Sequence, residues 1–83
     1  PLHRLKIDMS FVQGITVNRK DEIIIDGIIT LAKNLGIDVL AEGVETLPQL
    51  DFLKNARCFI VQGFYLYKPM TVEKVSETLV KSA

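Results

Sequence analysis

Residues 5–9, Leu5-Lys6-Ile7-Asp8-Met9, alternate apolar and charged side chains. A period of two predicts a strand and places Lys6 and Asp8 on one face. Ser10 to Asn18 is mixed, contains Gly14 and reads as a connection. Asp21 to Leu35 then shows helical spacing, with Ile24, Ile28, Leu31 and Leu35 on one apolar stripe and Ile23, Ile25 and Ile29 widening it. Asn18 or Asp21 is the expected N-cap, and Gly36 falls where a left-handed C-cap residue is needed. Ile37 to Ala41 is a short, mostly apolar run, as expected of a parallel strand covered on both faces. Thr46-Leu47-Pro48-Gln49 has the spacing of a capping box, with proline tolerated in the first turn. Leu47, Leu50 and Leu53 give that helix its buried side, to an end near Asn55. Cys58 to Val61 is a third apolar run, closed by Gln62-Gly63, and Phe64 to Pro69 reads as irregular or extended. Thr71 is a cap candidate for a last helix carrying Val72, Val75 and Leu79 on one face.

The order is therefore strand, helix, strand, helix, strand, helix. Such alternation predicts an α/β fold of three βα units around a parallel sheet. Three units are about a third of a complete (β/α)8 barrel of ~250 residues, and a small open α/β sheet is the alternative. The first residue is Pro1 and not an initiator Met. Both facts lead us to expect a piece of a longer protein, with residues 1–83 forming part of one domain and no second domain.

Composition narrows the function classes. The chain has 83 residues, 24% charged and 48% hydrophobic, which is ordinary globular usage. Ten basic and ten acidic residues cancel, so charge gives no pointer to a nucleic-acid polymer or a membrane surface. The single cysteine, Cys58, rules out an internal disulfide and reads as a small buried apolar residue. No zinc or calcium ligand spacing, P-loop or dinucleotide-binding glycine motif is present.

In α/β sheets and barrels, functional groups collect at the C-terminal ends of strands. Here those ends carry Lys6 and Asp8, then Glu42 and Glu45, then Gln62. A lysine, a carboxylate and an amide on one rim suit a phosphate ester and a positioned water. Each also has a structural duty open to it. Lys6 and Asp8 fit a solvated pair, and Glu42 fits a cap on the following helix, whose dipole favours a negative charge. His3 reads as a surface residue, and Tyr65 and Tyr67 as a packed rim.

Together "LKID", "AEGVET" and "QGF…KP" resemble the C-terminal third of the EAL domain, the bacterial cyclic-di-GMP phosphodiesterase family, over about residues 2–79. The resemblance implies a partial TIM-like barrel of the EAL type. It implies metal-dependent hydrolysis of cyclic di-GMP to the linear dinucleotide by the complete domain, with Mg²⁺ or Mn²⁺ as cofactor. By motif, Lys6, Glu42 and Gln62 correspond to catalytic residues: a phosphate-contacting lysine, a general base or water-positioning carboxylate, and a glutamine near the water. Asp8, Glu45 and Pro69 correspond to substrate-binding or loop-supporting positions. The family's metal ligands lie upstream of this segment, so no metal ligand is expected in it, and the isolated chain is expected to be inactive.

Expected partners are cyclic di-GMP, the rest of the barrel, and a sensor or GGDEF domain in the same protein. No nucleic-acid polymer and no membrane contact by this segment are expected. The setting implied is the bacterial cytoplasm, or the cytoplasmic part of a membrane-anchored protein. Two positions depart from the family: Phe59 follows Cys58 where aspartate is usual, and Tyr67 stands where serine is usual. A catalytically degenerate EAL domain, binding cyclic di-GMP as a regulatory module, is the alternative function. An unrelated barrel enzyme with Lys6 as a Schiff-base lysine leaves Glu42 and Gln62 without a role.

Overall fold

A computed structural model describes residues 4–63 and 70–75. The element order is β1 (Arg4–Ile7), α1 (Met9–Val12), α2 (Arg19–Asn34), β2 (Asp38–Val44), α3 (Leu47–Asn55), β3 (Ile60–Gly63) and β4 (Met70–Thr71). The four strands form one sheet in the order β1-β2-β3-β4. The first three are parallel, and β4 joins β3 antiparallel at the edge. The α/β fold with a parallel-rich sheet is the one the alternating pattern predicts.

Register decides which side chains face the helices. Ile7 is level with Ala41, and Ala41 with Val61. These three are buried in one core with Ile25, Ile29 and Ala32 of α2 and Leu50 and Leu53 of α3. Lys6, Leu40 and Ile60 are level with one another on the opposite face. Cys58 is buried as expected, its Sγ 3.6 Å from the carbonyl oxygens of Val39 and Ile60. Burial pushes its thiol up to about 11, which suits a packing role and not a reactive one.

Several expectations are corrected. The core stripe of α2 is Ile25-Ile29-Ala32; Ile24, Leu31 and Leu35 are exposed and Ile28 is only partly buried. Isoleucines occur almost all round the first half of α2, so periodicity offers two stripes, and packing onto β2 selects one. In α3, Leu50 and Leu53 are buried but Leu47, at the first turn, is 54% exposed. β1 ends at Ile7, and the predicted connection begins with the one-turn helix α1. β2 runs on to Val44, past the expected end at Ala41, and β3 starts only at Ile60. Asn18, and not Asp21, caps α2 by accepting from the Lys20 N–H. Residues 1–3, 64–69 and 76–83 lie outside the described residues, and with them His3, Tyr65, Tyr67, Pro69 and Leu79.

The capping box at α3 forms as the sequence predicts. Thr46 Oγ1 accepts from the Gln49 N–H at 3.2 Å, and Gln49 Oε1 accepts from the N–H groups of Glu45 at 2.7 Å and Thr46 at 3.1 Å. Gln49 is buried to make these bonds. Replacing Thr46 by Ala is expected to cost about 1 kcal/mol of stability, read as a lower urea midpoint at unchanged m-value. A cost near zero would mean that Gln49 holds the turn unaided. Downstream, Thr71 Oγ1 accepts from the Lys74 N–H at the start of a helical turn over 72–75, where Val72 and Val75 are buried.

Candidate functional site

At the C-terminal end of β2 the ladder with β3 slips. Ala41 is level with Val61, but Val44 is level with Gly63. Two residues, Glu42 and Gly43, therefore stand opposite the single residue Gln62. This is a β-bulge, a device that re-aims side chains and is frequent beside active sites. Gly43 has φ +73°, and a Cβ there would lie 2.5 Å from Met9 Cβ. Both the left-handed backbone and the close approach of α1 require glycine.

Strand alternation places Glu42 on the face of Leu40, which is level with Lys6 of β1. Glu42 Oε1 is 3.9 Å from Lys6 Nζ, with the lysine side chain 65% and the glutamate side chain 33% exposed. Glu42, Gly43, Gln62, Gly63 and Met9 line an open depression of about 350 Å³. Glu42 and Gln62 thus share the depression, and Lys6 stands beside Glu42 without lining it. Two other depressions, lined by Arg19, Glu22 and Phe52 and by Lys33, Arg57 and Phe59, hold none of the three.

The neighbouring carboxylates are committed elsewhere. Asp8 does not continue β1; its Oδ2 accepts from the Ser10 N–H at 2.9 Å and caps α1. Hydrogen bonding from Ser10, side chain first and backbone second, holds the Asp8 carboxyl below its ordinary value. Glu45 is exposed, and it is its backbone N–H, held by Gln49, that ties the loop. The structural duty open to Glu42, capping the next helix, is carried by Thr46 and Gln49. Gln49 was legible only as a capping residue. That it holds two N–H groups of the loop after the bulge depends on its burial. Met9 and Gly43 carried no signal beyond the single glycine.

A sequence model of the EAL domain matches residues 1–69. The chain belongs to the EAL-domain family. It is 40% identical, over 95% of its length, to a protein of Pseudomonas aeruginosa named cyclic di-GMP phosphodiesterase NbdA, of which it covers 10%. It is 43% identical over 81% of its length to the probable cyclic di-GMP phosphodiesterase PdeG of Escherichia coli, of which it covers 13%. The EAL chain thus spans about a tenth of these relatives. Its fold superposes on the crystal structure of the EAL domain of Mycobacterium smegmatis DcpA with a TM-score of 0.74, at 38% identity, covering 98% of this chain and 36% of that one. On the phosphodiesterase PaMucR in complex with c-di-GMP the TM-score is 0.75, at 37% identity, covering 90% of this chain and 30% of that one. EAL domains have a TIM-barrel fold, so the sheet described here is a segment of such a barrel. No helix among the described residues is long and apolar enough to cross a membrane.

Proposed function

We propose that this chain is the C-terminal part of an EAL phosphodiesterase, and that Lys6, Glu42 and Gln62 are its contribution to the site that hydrolyses cyclic di-GMP to the linear dinucleotide. The observation that supports this most directly is the placing of Glu42. It stands 3.9 Å from Lys6 at the edge of a depression it shares with Gln62, while Thr46 and Gln49 do the capping it could otherwise have done.

The residues described here do not fit a divalent-metal cradle by themselves. Among them no group of three or more His, Cys, Asp or Glu side chains gathers. The cation beside Glu42 is Lys6, which would repel a metal ion. In this proposal the ligands of the Mg²⁺ or Mn²⁺ belong to barrel strands outside this chain. Two-metal sites supply charge neutralisation and an acidified water.

This chain's own groups have separate tasks. Lys6 Nζ attracts a non-bridging phosphate oxygen and steadies the charge that grows on it. The Glu42 carboxylate accepts the proton of the attacking water. Gln62, with a donor and an acceptor on one amide, orients that water or the adjacent phosphate oxygen. The water oxygen bonds to phosphorus, one ester P–O bond breaks, and the departing ribose oxygen takes up a proton. Asp8 and Glu45 belong to the loops that hold these groups and do not touch the phosphate.

The isolated 83-residue chain is expected to show no turnover of cyclic di-GMP in Mg²⁺ or Mn²⁺. The complete domain encoded with it is expected to release the linear dinucleotide, separable from the substrate by chromatography. Turnover by the isolated chain would overturn this division of the site. A complete domain that binds cyclic di-GMP without cleaving it would be the degenerate regulatory module.

A further inference from the structure

The depression at the strand ends has one large apolar side chain in its wall. Glu42, Gln62, Gly43 and Gly63 line it with Met9, which is the apolar side chain among them. Met9 opens α1, two residues after β1 ends, and is 49% exposed. It is also held at both ends. Its Cβ and Cα lie against Gly43, close enough that any side chain at 43 would collide with them. Its Sδ is 3.9 Å from Gln13 Nε2, a weak hydrogen bond one turn along. The side chain thus borders the depression from a fixed base.

We propose that Met9 is a specificity-determining substrate contact: its thioether is the apolar wall against which the nucleoside part of a cyclic dinucleotide packs while Lys6, Glu42 and Gln62 handle the phosphate. The inference rests on the function proposed above. A phosphodiester held at Glu42 and Gln62 carries a purine nucleoside on each side, and Met9 is anchored next to Glu42's own neighbour, Gly43. Nothing else in that wall among the described residues offers an apolar side chain. A polarisable thioether suits contact with an aromatic ring edge or face. Such a contact is the same before and during bond cleavage, so it belongs to KM and not to kcat.

The test uses the complete EAL domain that carries this chain. Met9→Ala retains the Cβ that rests on Gly43 and removes only the thioether. We expect it to raise KM for cyclic di-GMP by roughly 2- to 10-fold at unchanged kcat. The Kd measured by calorimetry in a turnover-silenced Glu42→Gln background should rise by the same factor. Met9→Leu, similar in volume, should restore most of the affinity. If Met9→Ala does not fold, Met9→Gln, similar in length and polar, carries the same expectation. Unchanged KM and Kd would overturn the inference. So would a fall in kcat at constant KM that Leu does not rescue, since Met9 would then act only through the bulge. A parent domain that neither binds nor cleaves cyclic di-GMP would overturn the proposed function together with this inference. A domain that binds normally and ignores Met9→Ala would overturn this inference alone.

Discussion

Glu42→Gln in the complete domain is expected to lower kcat for cyclic di-GMP by about 10²- to 10⁴-fold, the usual contribution of a positioned general base. Substrate affinity should stay the same or rise. The substitution keeps the shape of the side chain and so should leave the bulge and its Gly43–Met9 contact in place. It removes the one negative charge at 3.9 Å from Lys6 Nζ. The lysine of that pair is mostly exposed and the separation is long, so the pair contributes little to stability and the fold should tolerate its loss. The freed ammonium would face an anionic phosphate with less competition. A structural role predicts the opposite split: a helix cap lost at Glu42 would lower stability and leave kcat alone. Paired measurements of kcat, Kd and the unfolding midpoint decide between them, and unchanged turnover would remove Glu42 from the chemistry.

The parts of this site that were legible in the sequence are those set by local rules. Thr46 and Gln49 stand three apart in a capping box, Gly36 takes the left-handed conformation with φ +71°, and Asn18 accepts from a first-turn N–H. Each is specified by a few adjacent residues. What escaped depends on residues far apart in the chain. The core stripe of α2 was misplaced because its isoleucines satisfy two helical faces equally, and only the sheet beneath chooses between them. In a complete barrel the helices stand side by side in an outer ring. A second apolar stripe, Ile24, Leu31 and Leu35, is what a flank facing another helix would carry.

The bulge left a fainter trace. Val39, Leu40, Ala41 and Val44 are all buried, so apolar positions run on past Glu42-Gly43. The intervening Glu42-Gly43 looked like the end of the strand, when it is the strand's kink. Asp8 was assigned to the same strand face as Lys6, because a one-turn helix such as α1 is too short to leave a period. β4 has two residues, Met70 and Thr71, and exists because β3 offers it an edge. Lys6, Glu42 and Gln62 could be picked out from the sequence, but that Glu42 stands 3.9 Å from Lys6 and shares a depression with Gln62 required the strand order and register.

Gly63→Ala is expected to destabilise the domain by roughly 2–4 kcal/mol and to cut kcat/KM with it. Gly63 closes β3 with φ +152°, a conformation that L side chains rarely adopt. A Cβ there would lie 2.6 Å from the Val44 nitrogen and 2.7 Å from its carbonyl carbon, and closer still to its oxygen. These are backbone atoms of the neighbouring strand, so no side-chain rotation can relieve the overlap. The strands must separate where Val44 is level with Gly63. Gln62 on one side and the Glu42–Gly43 bulge on the other would then move apart. Displacements of ~1 Å in such groups can cost on the order of 100-fold in rate.

Gly27 provides the control of opposite sign. It lies in the interior of α2, and a Cβ there meets nothing within 4 Å. Gly27→Ala should therefore stabilise the domain by about 0.5–1 kcal/mol and leave turnover unchanged. Chemical unfolding of the two variants beside the parent separates the cause. If both alanines behave alike, glycine acts at position 63 through chain entropy. If they diverge in sign, the close approach of β3 to Val44 is what the glycine serves, and it is this approach that sets Gln62 opposite Glu42.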